Sequence, residues 1–412
     1  MTSLIRIAAL FAAFAALAVL PTAPSSAHAA RFVAVSPADR TLVHHASTMA
    51  ARSPHSASRW LAGRHGVASA HVESNGQTIA IAFRDGARLL ILPKTRVHDA
   101  LSKSSRVFRA AFRPLEISHQ TPPTSGPAQA LVLEPFAGEL NLGSNAGQRE
   151  ADSLTQAGFK VTILRDSAVT VHVMMTLNQY AVVYMETHSN PISSGGDAVV
   201  ATAETDTTPY ASLFKEGSLK QVTVAGDTTG KIYDAITGIF FTDHVGTFTP
   251  GSLLFINGCG VRDAPLFVKA VQGRDVAALI GWDNEVPGLL NAVTGSYVMG
   301  QLAGGATVAA SVNSALETGL GIAVSGTTAA TLGFDGQGSD TLANALAGAE
   351  GTTATATSTA TPTATPTSTP SPTATPKPTK RYHHGKCHPG HHRVHGGRCQ
   401  LIKHHSKKSH RK

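Results

Sequence analysis

The chain has 412 residues, of which 42% are hydrophobic, and this is enough to bury one sizeable core with a smaller companion. Its net charge of +8 is unevenly spread: residues 30–124 carry 13 Lys and Arg against 5 Asp and Glu, residues 125–350 carry 9 against 21, and residues 351–412 carry 11 against none. An acidic domain between basic flanks indicates distinct domains and tails rather than one basic protein, so specific nucleic-acid binding is not expected.

The first 29 residues have the pattern of a secretory signal peptide. Arg6 precedes an uninterrupted apolar run from Ile7 to Leu20, and the small-residue motif Ala27-His28-Ala29 follows it. These are the features of an exported protein's signal, and the run is too short to span a bilayer. We therefore predict a signal peptide over residues 1–29 and a secreted mature protein. No later stretch has the roughly twenty apolar residues of a transmembrane helix.

Residues 30–127 form a basic region that is expected to be β-rich. Its first part, residues 30–65, has weak helical periodicity and no strong caps, which predicts a loose structure. Short β-rich runs then alternate with Asn75-Gly76 and Asp85-Gly86, the strongest short-range hairpin signals. The pattern predicts a three-stranded meander with strands at 67–72, 78–83 and 88–92.

A proline-rich segment, residues 121–127, separates this basic region from the next domain. Two interpretations of the region stay open. In the first, it is a pro-region whose positive charge complements the acidic domain and which offers cut sites such as Arg106, Arg109 and Arg113. In the second, it is a permanent accessory β-domain packed against the next domain, because three strands alone need a surface to pack on.

Residues 128–350 alternate between strand and helix patterns. Strands are predicted at 130–134, 160–165, 180–187, 252–257 and 276–282, and helices at 145–157, 169–177, 263–271, 289–302 and 307–317. An insertion of about sixty residues lies between the third and fourth strands and contains strand-like segments at 198–203 and 221–225. The alternation predicts an α/β fold with a mostly parallel sheet and helices on both faces.

Two segments of biased composition follow. Residues 351–379 are rich in Thr, Ala, Ser and Pro, and the frequent proline favours an extended stalk. Residues 380–412 form a basic, His-rich tail in which Cys387 and Cys399 are expected to form a disulfide. The tail's histidines lack a regular ligand spacing, so no metal site is predicted. Its expected role is electrostatic attachment to anionic cell-wall polymer, with membrane surface or nucleic acid as alternatives.

The most informative stretch is Leu253–Gly260, LLFINGCG, in which four apolar residues run into a turn that contains Cys259. The pattern predicts a buried strand with Cys259 at its carboxyl end, where open α/β sheets place their chemistry. A thiol nucleophile needs a neighbouring base or cation, and His188, which also ends a predicted strand, is the expected partner. Of the other histidines in this domain, His172 falls on a predicted helix and His244 on a predicted loop.

The order of features in this domain is distinctive. A strand that ends in His188, an insertion, a strand that ends in the sequence N-G-C-G, a helix and a strand that ends at Trp282 follow one another. This order resembles the caspase-like cysteine peptidases of clan CD, and within them it is most similar to gingipain-type and CHAT-type domains. The resemblance implies hydrolysis through a thioester acyl-enzyme, with Cys259 as nucleophile and His188 as proton donor to the leaving amine. It also implies an oxyanion hole formed by the backbone amides of Ser189 and Cys259.

Acidic residues close to the proposed cleft bear on specificity. With the domain's excess of acids they favour a cationic P1 side chain such as Arg or Lys, although solvation at the surface is the alternative for each of Glu186, Asp263, Asp283 and Glu285. Trp282 is expected either to form a wall of the substrate pocket or to cap the core.

The leading prediction is therefore an exported cysteine endopeptidase that uses no cofactor and no metal. The family usually has glycine directly after its histidine, where this chain has Ser189, and this difference supports a second hypothesis. That hypothesis is a catalytically inactive binding module displayed on the cell envelope by the stalk and tail. In a third hypothesis the tail is the active part of an envelope adhesin or metal-binding surface protein.

Overall fold

A computed structural model gives the fold of the chain. It describes residues 32–94, 128–139, 147–192, 196–205, 207–227, 229–325 and 328–355, and two short strands at 391–393 and 399–401. By its contacts the chain divides into two compact units, Met1–Ser358 and Thr359–Lys412. The predicted signal peptide lies outside the described residues, as does the predicted stalk beyond Thr355.

Two helices precede the meander, so the prediction of a loose structure for residues 30–65 is wrong. Helix α1 spans Pro37–Ala50 and helix α2 spans Pro54–Ala62. Each begins with a serine N-cap followed by proline: Ser36 accepts from the Asp39 N–H, and Ser53 accepts from the Ser56 N–H, both at 3.2 Å. Serine caps and proline in the first turn are strong start signals, and they were overlooked because the apolar periodicity is weak.

The predicted meander is confirmed, and it belongs to a larger sheet. Strands β1 (Val67–Val72), β2 (Ile79–Phe83) and β3 (Arg88–Leu92) pair antiparallel. The insertion supplies four more strands, namely β7 (Ser189–Ile192), β8 (Asp197–Ala201), β9 (Leu219–Val224) and β10 (Tyr233–Ile236). Within the described residues they form one seven-stranded sheet of order β1-β2-β3-β9-β10-β8-β7, in which β3 pairs with β9 in parallel. We call it the first sheet.

A second sheet, the central sheet, carries the predicted α/β pattern. Its strands are β4 (Gln129–Glu134), β5 (Lys160–Arg165), β6 (Val182–Glu186), β11 (Leu253–Asn257), β12 (Ala278–Trp282), β13 (Ile322–Ser325) and β14 (Thr328–Gly336). In the described part of the chain their order is β13-β14-β12-β11-β6-β4-β5. The five predicted strands are parallel to one another. The antiparallel pair β13 and β14 had not been predicted.

Helices accompany these strands. They are α3 (Gln148–Gln156), α4 (Val171–Met174), α5 (Ala211–Glu216), α6 (Gly238–His244), α7 (Pro265–Gln272), α8 (Gly288–Ala303), α9 (Val308–Glu317) and α10 (Leu342–Thr355). The last of them continues to Thr355, inside the predicted stalk. His244 ends α6, so its predicted place on a loop is wrong.

The core lies on both faces of the central sheet. Alternate residues of β6 and β11 enter opposite apolar clusters: Tyr184 and Phe255 pack with α8 and α9 residues on one face, and Val183 and Leu254 pack with α6 and α7 residues on the other. Both faces are covered, which is why these strands are continuous apolar runs. The α/β fold is thus confirmed.

Candidate active site

The two strands that carry the proposed dyad are neighbours. Strands β6 and β11 pair in parallel with Glu186 opposite Asn257. His188 and Cys259 each lie two residues beyond that pair, so both follow their strands at the same edge of the sheet. The Thr187 N–H donates to the Asn257 carbonyl oxygen at 3.2 Å, which keeps the two chain segments together past the ends of the strands.

The turn after β11 fits closely against the chain that follows β6. The Ser189 hydroxyl donates to the Cys259 carbonyl oxygen at 2.9 Å. A Cβ at Gly258 would overlap Ser189 Oγ and would lie 2.7 Å from the Thr187 carbonyl oxygen. Glycine is therefore required at 258 for this approach. The structure links the His188 and Cys259 segments through Ser189.

Cys259 is buried and lies in the apolar cluster beneath α8. Its side chain is 6% exposed, and its thiol is 3.8 Å from the Val286 carbonyl oxygen. Burial, and to a smaller extent the nearby Glu285 carboxylate, raises the pKa of the Cys259 thiol to about 12. In this arrangement the thiol is protonated at neutral pH, and a protonated thiol is a weak nucleophile.

His188 is buried beside a different group of residues. Its ring is 4% exposed and meets the Phe136 ring edge-on at 4.7 Å, and Phe136 in turn meets Tyr233 at 5.0 Å. His188 Nε2 lies 3.5 Å from Glu139 Oε1, an ion-pair distance when the imidazole is charged. These residues border a cavity of about 630 Å³ that is also lined by Asp166, Asp227 and Lys231.

Glu139 was not identified from the sequence. It follows β4 by five residues, in a loop with no recognisable motif, and it comes next to His188 because β4 and β6 are adjacent in the central sheet. A carboxylate beside a histidine orients the ring and stabilises its charged form. The signal that was present, an acid close after a buried strand, is too common to single out this residue.

The backbone N–H of Ser189 points away from strand β8. Ser189 lies opposite Val200 in the antiparallel pair β7 and β8, and the Ala201 N–H donates to the His188 carbonyl oxygen at 2.9 Å. Bonded and non-bonded pairs alternate in such a ladder, so the Ser189 N–H is directed away from β8. An oxyanion donor must not be used in a sheet ladder, and the Ser189 N–H makes no ladder hydrogen bond to β8.

Glu186 belongs to a buried group of three carboxyls with Glu134 and Glu150. All three are at most 2% exposed, at the carboxyl ends of β6 and β4 and in the first turn of α3. Burial first, and then its carboxyl neighbours, raises the pKa of Glu186 well above its ordinary value. The same causes raise the pKa of Glu134 to about 7, although Arg165 lies 3.3 Å from it and opposes the rise.

A neutral hydrogen-bond network joins this acidic group to the turn at Cys259. Asn257 donates to the Tyr184 hydroxyl at 2.8 Å and accepts from the Trp282 indole at 3.1 Å. The Tyr184 hydroxyl is 3.4 Å from Glu186 Oε2. Trp282 is completely buried, so its placement is that of a core residue rather than an exposed pocket wall. Asn257 is thus a structural centre of the site that sequence reasoning missed.

Of the proposed substrate-binding acids, Asp283 has a local structural role and Asp263 is exposed. Asp283 Oδ1 accepts from the Thr331 N–H at 2.6 Å and ties β12 to β14. Asp263 is exposed in the short helical turn after Cys259, where its N–H donates to Gly260 O. Neither hydrogen bond involves His188.

The two other histidines of this domain lie on helices. His172 is in α4 and His244 ends α6, where its Nε2 is 3.2 Å from Ser218 Oγ and 3.5 Å from Glu216 Oε2. Among the described residues, no group of three or more His, Cys, Asp or Glu side chains is arranged to hold a metal ion.

The second unit contains a short hairpin in the predicted tail. Strands β15 (His391–Arg393) and β16 (Cys399–Leu401) pair antiparallel, with Arg393 opposite Cys399. Cys387 and the predicted disulfide lie outside the described residues.

Comparisons with known proteins give no family assignment. No protein-family model matches the chain, and no curated protein matches it. In the part of the chain that the structure describes, every helix is too short or too polar to cross a membrane.

Proposed function

We propose that the chain is an exported, caspase-like cysteine endopeptidase with a His188/Cys259 dyad. One observation carries the proposal: β6 and β11 are adjacent parallel strands in a register that brings His188 and Cys259 to the same edge. This is the edge of an open α/β sheet at which ligands bind. The buried Ser189 contact supports it further, because it couples the position of one segment to the other.

In the proposed reaction the thiol leaves the Val286 carbonyl and turns toward the imidazole. His188 accepts the thiol proton, the thiolate attacks the peptide carbonyl carbon, and the amides of Ser189 and Cys259 hold the oxyanion. The C–N bond breaks as His188 returns the proton to the leaving amine, which leaves a thioester on Cys259. His188 then takes a proton from water, the water oxygen attacks the thioester carbonyl carbon, the C–S bond breaks, and His188 returns the proton to the leaving thiolate as the carboxylic acid product is released. Glu139 stabilises the imidazolium in both steps.

A cationic P1 side chain, Arg or Lys, is the preferred substrate in this proposal. The support is the domain's excess of acids, with 21 Asp and Glu against 9 Lys and Arg in residues 125–350, and such an excess attracts cations. Glu186 is buried and its pKa is raised, so it contributes little of this charge at neutral pH. The Asp283 carboxylate is engaged by the Thr331 N–H, whereas Asp263 is exposed and contributes to the acidic charge of the domain.

A second candidate function is a binding module without catalysis. The raised pKa of the Cys259 thiol and its burial favour it, since they describe an inert thiol in the present arrangement. Ser189, in place of the glycine of the resembling family, supports the same candidate.

Active-site labelling separates these two functions. Purified protein under reducing conditions is treated with peptidyl chloromethyl ketones that carry Arg, Lys, Asp or Leu at P1, and adducts are mapped by mass spectrometry. We expect alkylation of Cys259 by the Arg or Lys reagent, loss of labelling in His188→Ala, and retained labelling in His172→Ala and His244→Ala. Equal, slow labelling by all reagents, unaffected by His188→Ala, would establish an inert thiol and favour the binding module.

The envelope location is proposed from the tail. Residues 380–412 carry ten Lys and Arg with no acids, so they suit anionic wall polymer. We expect salt to release the protein from cell envelopes, and more salt to be needed below about pH 6.5, where the histidines are charged. Release that does not depend on salt would contradict this attachment.

A further inference from the structure

The N-terminal segment, defined here as residues 32–94, shares its backbone hydrogen bonds with the rest of the chain. Strand β3 lies inside the first sheet between β2 and β9, with Leu90, Ile91 and Leu92 opposite Val222, Thr223 and Val224. The ladder continues past the strands, where the Ala225 N–H donates to Leu92 O at 2.8 Å. Removal of the segment would therefore leave β9 with an open ladder along one side.

Helix α1 adds contacts to the loop between β9 and β10. The Gly226 N–H donates to Ser47 O at 2.7 Å, and the Ser47 hydroxyl is 3.4 Å from Asp227 O. Ahead of the helix, the Val35 N–H donates to Gln221 Oε1 at 3.3 Å. Two different parts of the segment thus hold the same strand and its following loop.

The apolar clusters cross the same boundary. Ala225 and Ile232 are buried in a cluster otherwise built by α1, α2 and the meander, at 3% and 4% exposure. In the opposite direction, Leu92 is buried with Tyr233 and with Phe136, whose ring lies against His188. A cut chain would have to expose both groups in order to separate, and the cost of that exposure rises with the apolar area.

A third attachment lies beside the candidate site. The turn between β1 and β2 reaches β7, where Asn75 Nδ2 donates to Pro191 O at 3.4 Å and Asn190 Nδ2 hydrogen-bonds Thr78 Oγ1. Thr78 is fully buried and Asn190 is 4% exposed. These contacts begin one residue after Ser189, so the segment forms part of the structure that holds the chain following His188.

We infer that the N-terminal segment is a permanent, non-covalently held part of the protein, which a cut between residues 95 and 127 does not release. Its binding surface is the β9 edge, the loop after β9, and β7, and its partner is residues 128–355 of the same chain. The inference is independent of the proposed catalytic function. Of the two interpretations of the basic region, it favours the attached domain over the lost pro-region, whether or not the chain is cut.

Site-specific cleavage tests the inference in the full chain. A recognition sequence for a specific protease replaces residues 108–112, the protein is cut, and the products are separated by size exclusion under native conditions. We expect both fragments to elute together at the volume of the uncut protein, and to separate only in denaturant. An N-terminal fragment that elutes by itself from native buffer would overturn the inference.

The two tryptophans provide a second measurement that needs no cut. Trp60 lies in α2 and Trp282 lies in β12. The Trp282→Phe variant isolates the fluorescence of Trp60, and the Trp60→Phe variant isolates the fluorescence of Trp282. Each substitution can change the overall stability, so the fluorescence midpoint of each variant is compared with the midpoint of its own unfolding followed by far-UV circular dichroism. We expect the two midpoints to coincide in both variants, so that the Trp60 signal and the Trp282 signal are lost together. Loss of the Trp60 signal at a clearly lower concentration would show an independently unfolding segment and would overturn the inference.

Discussion

The reactivity of Cys259 gives the sharpest test of the site. Burial and Glu285 raise the pKa of its thiol from 9.0 to about 12. At pH 7.5 this lowers the thiolate fraction about a thousandfold relative to an unperturbed thiol, and the thiolate is the reactive form. We therefore expect iodoacetamide to alkylate folded protein at least about a thousand times more slowly than denatured protein.

The assay uses a variant in which Cys387 and Cys399 are serine, so that all alkylation reports on Cys259. The rate in folded protein should rise about tenfold per pH unit from pH 7 to pH 10 without a plateau, because the thiol titrates above that range. The denatured protein is the control and should level off near its ordinary thiol pKa. A plateau below pH 8 in folded protein would show a thiolate–imidazolium pair at rest and would refute this reasoning.

Three further predictions concern the surroundings of the dyad. The folded-state pKa of Glu134 is raised to about 7, so the contribution of this carboxyl to stability is present below about pH 4.5 and is lost as pH rises to 7. Glu134→Gln should therefore increase the free energy of unfolding above pH 7 by at most about 3 kcal/mol in urea titrations. An equal increase at pH 4.5 would contradict this. Ser189→Ala leaves the Cys259 carbonyl without its donor and should cost about 1 kcal/mol in the same titration, whereas an unchanged midpoint would remove Ser189 as the link between the two segments. Glu139→Gln should slow labelling of Cys259 by an Arg chloromethyl ketone on the order of tenfold. The control Glu216→Gln changes the equivalent Glu–His pair at His244 and should leave the labelling rate unchanged. Equal effects of the two variants would show that Glu139 has no role in the site.

The strand pattern of the central sheet could be predicted because its residues are buried on both faces. Strands Val182–Glu186 and Leu253–Asn257 each begin with four apolar residues in a row, and such runs have few alternative structures in an α/β domain. The hairpin dipeptides Asn75-Gly76 and Asp85-Gly86 fixed the meander in a similar way, through turns that few other residues can make. Local signals of this kind predict a strand or a turn without any information about which strands become neighbours in the fold.

The first sheet could not be predicted as a unit. Its pairing of β3 with β9 joins residues more than 120 positions apart, and no local pattern records which strands become neighbours. Strands β7, β10, β13 and β14 could not be predicted either, because they are short or rich in small residues and so lack a clear apolar pattern. The apolar periodicity of the two helices near the N-terminus is too weak to predict them, and in the structure serine caps at Ser36 and Ser53 begin both helices.

At the candidate site the sequence determined the residue types and the tertiary structure decided their chemistry. Sequence alone placed His188 and Cys259 at the ends of two buried strands, because a strand's end is marked by where its apolar run stops. Burial, contacts and proton affinity depend on groups that are distant in sequence: Val286 and Glu285 around the thiol, Glu139 and Phe136 around the imidazole. A pKa is set by the surrounding dielectric and charges, and these exist only when the chain has folded.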